Sequence, residues 1–204
     1  MNIGPKPFAA RRRSHTHSWI QGLHAAVLTA ALGVTLLPTT ASCHPQTRQG
    51  FFIGLGLASG SAVVDFGSGS SNRESGVGGS FRLGWTLNPK VALGIENNSW
   101  FKSDQTSAAT LGAMTVAGSF FPAEGLVLRA GLGGGYEGEA ADGLGGSAGF
   151  AWTLGTAYEF RVTRSFAVGP QIDYTHMSLD TAGSGASANY YNIGLSMNWY
   201  FIPK

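Results

Sequence analysis

From Tyr191 to Phe201 every second residue is apolar or aromatic: Tyr191, Ile193, Leu195, Met197, Trp199 and Phe201. The set between them, Tyr190, Asn192, Gly194, Ser196, Asn198 and Tyr200, is polar or small. A period of two is that of a strand with one greasy face and one wet face. The run, taken as Ala188–Phe201, exceeds the about 5–6 residues of an ordinary strand. It is long enough for the about 9–11 tilted residues that cross a bilayer.

The same alternation recurs from Gly50 onward. A first run, Gly50 to Val64, places Phe51, Ile53, Leu55 and Leu57 on one face. A second, about Gly76 to Leu87, places Phe81, Leu83, Trp85 and Leu87 there and turns Arg82 inward. A third, about Val91 to Lys102, has Val91, Leu93, Ile95 and Phe101 outward and Glu96 inward, with Asn97 and Ser99 interrupting the apolar face. The fourth, about Ala108 to Phe121, is weakly patterned: Met114, Val116 and Phe120 suit one register, and the opposite register stays open. The fifth, about Leu126 to Glu137, puts Leu126, Leu128, Leu132 and Tyr136 out and Arg129 and Glu137 in. The sixth, about Ser147 to Phe160, puts Phe150, Trp152, Leu154, Tyr158 and Phe160 out and Glu159 in. The seventh, about Ser165 to Leu179, puts Phe166, Val168, Ile172 and Tyr174 out and Gln171, Asp173 and Thr175 in.

Eight strands are thus predicted. Three tight turns, at Asn88-Pro89-Lys90, Pro122 to Gly125 and Arg161 to Arg164, alternate with four longer loops rich in Gly, Ser and Asp. Pro suits the second position of a tight turn. Short turns at one end and longer loops at the other are the pattern of an up-and-down transmembrane barrel. The expected fold is all-β, an eight-stranded antiparallel barrel over residues 50–204. A soluble sandwich is the competing architecture. Its strands would be shorter, and its outer face charged rather than lined with Trp, Phe and Leu.

Composition strengthens the membrane reading. Charged residues make up 12% of the chain and glycine 31 of its 204 residues, about half and double the usual shares. The net charge of +2 averages two regions. Residues 1–42 carry Lys6, Arg11, Arg12 and Arg13 and no acid; the remaining 9 Lys and Arg face 11 Asp and Glu. No basic patch is left for nucleic acid.

Residues 1–42 read as a cleaved signal peptide: a basic start, an apolar core from Leu23 to Leu37, a Pro38 break and small residues to Ser42. The core is shorter than the about 20 residues of a spanning helix. The Arg run also allows twin-arginine export, although that route carries folded cargo and a barrel crosses unfolded. Residues 43–49 are expected to form a short periplasmic tail. Cys43, the one cysteine, rules out an internal disulfide. Thr40-Ala41-Ser42-Cys43 loosely resembles a lipobox, which would make Cys43 a lipidation site; the alternative is a free thiol. No metal site is expected, since Cys43 and His44 alone do not make one.

On these runs residues 50–204 resemble the small eight-stranded outer-membrane barrels of the OmpA/OmpX type. The resemblance implies an outer-membrane location, a monomer, lipid and lipopolysaccharide as surroundings, and no cofactor. It also implies that the last strand is read by the barrel assembly machinery, through Asn192, Gly194, Met197, Trp199 and Phe201. Ile202-Pro203-Lys204 follow the aromatic that many such barrels place last. The fold is unspecific for function, since it hosts adhesion, enzymes and plain anchors.

An eight-stranded barrel has room inside only for side chains. A charge facing lipid costs about 2–4 kcal/mol at midplane, so the strand charges are expected to pair within. The prediction is a packed polar core in which Arg82 and Arg129 bridge to Glu96, Glu159 and Asp173. The alternative use of these pairs is to gate a narrow solute pore. Trp85, Phe121, Phe160, Trp199 and Phe201 are expected to form an aromatic girdle at the turn end.

One motif carries possible chemistry. His176 and Ser178, two apart on one face beside Tyr174, look like the His-x-Ser of lipid A deacylase barrels. A Ser nucleophile needs a base, and the base an orienting acid. Leu179 stands where those enzymes have Asn, and the next strand offers no carboxylate. The Gly-rich run Gly131 to Gly135 lacks the Lys-Ser or Lys-Thr and the helix of a phosphate loop. The expected role is therefore structural, adhesive or surface-interacting rather than enzymatic, with a lipid A-modifying hydrolase as the alternative.

Overall fold

A computed structural model describes residues 48–66, 69–103, 108–139, 147–181 and 184–201. The expected signal peptide, Cys43 and residues 43–47 of the tail lie outside the described residues.

Eight long strands form the wall: β1 (Gly50–Phe66), β2 (Glu74–Asn88), β3 (Val91–Ser103), β4 (Ala108–Phe120), β5 (Leu126–Glu139), β6 (Ala148–Tyr158), β7 (Phe166–Thr181) and β8 (Ser184–Phe201). Each pairs antiparallel with its neighbours in sequence. The register Phe51↔Phe201 to Phe66↔Ala186 joins β1 to β8 and closes the sheet. Closure leaves no bare edge, which is what a strand in hydrocarbon requires. The shortest strand, β6, has 11 residues, enough to span a bilayer.

The outward side chains are apolar and exposed: Leu57, Leu87, Met114, Val116, Leu132 and Phe150 are each more than half exposed. Met114 and Val116 point out while Ala113, Thr115 and Ala117 are buried within, which settles the register of β4. The polar break in β3 is satisfied on the wall itself. Ser99 donates to Asn97 Oδ1 at 2.8 Å, and Asn97 Nδ2 donates to the Tyr136 hydroxyl at 3.4 Å.

Three expectations change. The sixth strand does not run unbroken to Phe160. Register places Tyr158 opposite Pro170, whose missing N–H interrupts the ladder; pairing resumes only at Phe160↔Val168 and Arg161↔Ala167. The fourth loop, expected over Asp180 to Ser187, is not long. β7 and β8 continue to Thr181 and Ser184, which pair with each other, because inward Leu179, Ala186 and Ala188 pack together inside the barrel. Phe121 does not join the girdle. It is 5% exposed and lies beneath the Arg48 guanidinium, 4.0 Å from its ring centre. The girdle is instead built of contacting pairs, Phe51 with Trp85 and Phe201, Phe166 with Trp199, and Tyr158 with Phe160.

The lumen is layered. At the loop end, Trp100, Leu111, Met177, Leu179 and Tyr190 form an apolar plug with small residues between them. At the turn end, Phe52, Phe121, Val127 and Tyr200 form another. The expected polar core is the layer between the two. Gly125, at φ 78°, makes the turn into β5; a side chain there would be strained and would meet the Tyr158 ring.

Candidate functional site

Two sets of residues carry the chemistry of this barrel: the charges sealed inside it and a line of polar and aromatic groups on its outer wall.

Inside, period two sends Arg82, Glu96, Arg129 and Asp173 to the lumen, where all are buried. Arg129 Nη2 donates to Asp173 Oδ1 at 2.5 Å, and its Nε lies 3.8 Å from Glu96 Oε1. Asn98 Nδ2 donates to the same Glu96 oxygen at 3.0 Å. The expected bridge from Arg82 to a carboxylate is replaced by a neutral contact: Arg82 Nη2 donates to Gln171 Oε1 at 2.6 Å, with Ser80 Oγ at 3.5 Å. Gly54 and Gly56 on β1 leave room for these groups, since a Cβ there would meet Asn198, Gln171 or Ser80.

Glu159 also departs from expectation. It pairs with neither Arg82 nor Arg129 among the described contacts, but with Arg48, at 3.1 Å. Asn198 Nδ2 and the Tyr200 hydroxyl donate to its other oxygen at 2.9 and 2.6 Å. Arg48 has no place in a strand pattern, so periodicity passes over it. Charge balance held the clue. The two inward arginines are outnumbered by the inward carboxylates Glu96, Glu159 and Asp173 of the predicted core, so one of these needs a cation from outside the strands.

The last-strand residues divide between the two faces. Asn192 is buried in the lumen and donates to the Ser99 carbonyl at 3.2 Å. Its side chain fills the space that a Cβ on Gly60 or Gly78 would take. A Cβ on Gly194 would meet the backbone of Leu57 and Ala58. Met197, Trp199 and Phe201 belong to the outward set, with Phe201 half exposed.

On the outer wall, His176 and Ser178 share the face of Tyr174, as their spacing requires. Asn189 stands directly across from His176 on β8. Its Oδ1 accepts from the Tyr174 hydroxyl at 2.8 Å and contacts His176 Nδ1 at 2.7 Å. With that oxygen as acceptor, the neutral ring carries its proton on Nδ1 and keeps the Nε2 lone pair for another partner. The Trp152 ring centre lies 5.5 Å from His176 and 5.4 Å from Tyr174. The group that orients the histidine is thus an amide, where a hydrolytic triad more often has a carboxylate. Among the described residues no group of three or more His, Cys, Asp and Glu is placed to hold a metal ion.

No family model matches the chain, and no curated protein matches it. Solved structures do. Neisserial surface protein A superposes with a TM-score of 0.55 at 11% identity, over 74% of this chain and 97% of that one. The attachment invasion locus protein of Yersinia pestis, Ail, crystallised with the heparin analogue sucrose octasulfate, superposes with a TM-score of 0.52 at 13% identity, over 74% and 99%. At these identities the likeness is one of fold. The chain has the eight-stranded barrel architecture of the small outer-membrane proteins, as its resemblance to the OmpA/OmpX type implied.

Proposed function

We propose that this chain is an exported outer-membrane protein whose rigid barrel holds its wall and outward loops in a structural, adhesive or surface-interacting role. The turn end then faces the periplasm and the loop end the exterior. The observation that carries the reading is the filled lumen: two apolar plugs bracket a buried polar layer, which leaves the wall and the loops as the surfaces able to meet a partner. Lipopolysaccharide is the natural neighbour of such a wall. The last strand, with Asn192, Gly194, Met197, Trp199 and Phe201, is the proposed recognition element for the assembly machinery, and the protein is proposed to act as a monomer.

The test is expression in a Gram-negative host, followed by outer-membrane fractionation and a surface-attachment assay. The intact chain is expected in the outer membrane, and replacing residues 71–73 and 140–146 with Gly-Ser repeats should reduce attachment. Unchanged attachment would remove the adhesive role.

A hydrolase is the second reading, favoured by one observation, the His176 ring held through Nδ1 by Asn189. Mass analysis of lipid A from cells with the intact chain and with Ser178→Ala decides it. Loss of an acyl chain that depends on Ser178 would establish the enzyme.

A further inference from the structure

The sheet register sets one line of outward residues across five strand boundaries. Val116 pairs with Leu132, Leu132 with Trp152, Trp152 with His176, His176 with Asn189, and Asn189 with Val63. Strands in a barrel tilt, so such a line runs diagonally over the wall. Val116 and Leu132 stand near the middle of β4 and β5, whereas Asn189 and Val63 stand near the loop ends of β8 and β1.

The two ends of the line differ in chemistry. The mid-wall end is an apolar groove of about 500 Å³, walled by Val116, Leu132, Trp152 and Leu154 over Ala130 and Gly131. The loop end is polar and aromatic. It holds the Tyr174–Asn189–His176 cluster, and beside it the exposed Arg73 sets its guanidinium 5.2 Å from the Tyr191 ring. Trp152 belongs to both halves, lining the groove and packing on His176.

An apolar groove open to hydrocarbon takes an acyl chain. A guanidinium at the interface takes a phosphate, with two parallel hydrogen bonds. Ring faces beside an amide and an imidazole suit the faces and hydroxyls of a sugar. We propose that this line is a binding site for one phosphorylated glycolipid of the outer leaflet, with an acyl chain in the groove and the phosphosugar against Arg73, His176 and Asn189. The inference rests on the outer-membrane reading above and names the lipid that the wall selects. A glycerophospholipid would use the groove and Arg73 but leave the ring and amide cluster unmatched.

The test uses the chain folded in detergent micelles and verified by a gel shift between unboiled and boiled samples. It is titrated with diphosphorylated lipid A and, separately, with phosphatidylglycerol of matched chain length, and bound lipid is counted by native mass spectrometry. One lipid A per barrel is expected, held at least about tenfold more tightly than phosphatidylglycerol. Arg73→Ala, which alters the head, and Ala130→Phe, which fills the groove, should each weaken lipid A about tenfold. Arg73 lies outside the strands, so its variant decides the matter even if Ala130→Phe fails to fold. Equal binding of the two lipids, unchanged binding by Arg73→Ala, or removal of an acyl chain by way of Ser178 would overturn the proposal. A chain that shows the gel shift yet binds no lipid A defeats this site alone. A chain without the shift defeats the membrane reading beneath it.

Discussion

Arg48, ahead of the first strand, donates to Glu159 across 111 residues of sequence and ties the segment just before β1 into the turn end of the barrel. The pair is buried on both sides. Glu159 sits where pairing with β7 is interrupted opposite Pro170 while pairing with β5 persists through Leu126↔Tyr158 and the Glu159 N–H on the Gly125 carbonyl, so this carboxylate adds a side-chain tie to a stretch held by one neighbouring strand.

Arg48→Ala should therefore destabilise the barrel. Breaking a buried pair costs about 3–5 kcal/mol; Asn198 and Tyr200 still donate to Glu159, so the lower end of that range is expected. Urea unfolding in lipid vesicles measures it. The double variant Arg48→Met with Glu159→Gln should lose less than Arg48→Ala alone, because no buried charge is left unpaired.

Arg129 and Arg82 should differ. Arg129 faces two carboxylates, Asp173 and Glu96, while the closest partner of Arg82 is the neutral Gln171. Arg129→Ala should cost about 3–5 kcal/mol, and Arg82→Ala nearer the about 1.5–3 kcal/mol of a single charged hydrogen bond. The same unfolding experiment ranks them. Equal losses would mean that the two arginines share one undivided network.

Neither substitution should open a channel. The polar layer is capped by Trp100, Met177, Leu179 and Tyr190 on one side and by Phe52, Phe121 and Tyr200 on the other. Planar-bilayer recording with Arg82→Ala and Arg129→Ala should give no more conductance than the intact chain. A stable current step in either variant would restore the narrow pore.

Gly78→Ala should destabilise the barrel, since the added Cβ meets the side chain of Asn192, which also occupies the space over Gly60. Overpacking of this kind costs about 1–3 kcal/mol. Asn192→Ala should relieve part of the cost, so the double variant should lose less than the sum of the singles. Additive losses would show that the two residues do not compete for this space.

The wall was legible in the sequence and the contents of the lumen only partly so. Phe51 to Leu57, Phe81 to Leu87 and Tyr191 to Phe201 announce themselves by period alone, because lipid favours apolar groups at outward positions and these runs have no polar break among theirs. β4 resisted because its inward Ala113, Thr115 and Ala117 and its outward Gly112 and Gly118 are all small, so neither face stands out as the apolar one. The β7–β8 connection read as a loop because Gly, Ser and Asp crowd it, while tertiary packing of Leu179, Ala186 and Ala188 draws the strands onward. On the outer wall, His176 was visible but Asn189 was not. Its role comes from lying across the sheet from His176, a relation set by register and not by spacing along the chain.

A closed barrel in a bilayer fixes which side chains of β8 meet hydrocarbon. Nitroxide labels placed singly at 193, 195, 196, 197 and 198, in the chain folded into lipid vesicles, report this through relaxation by oxygen and by a water-soluble nickel chelate. Labels at 193, 195 and 197 should favour oxygen and exclude nickel, while those at 196 and 198 should be shielded from both. Nickel access at 193, 195 and 197, or no alternation at all, would contradict a closed barrel in a bilayer.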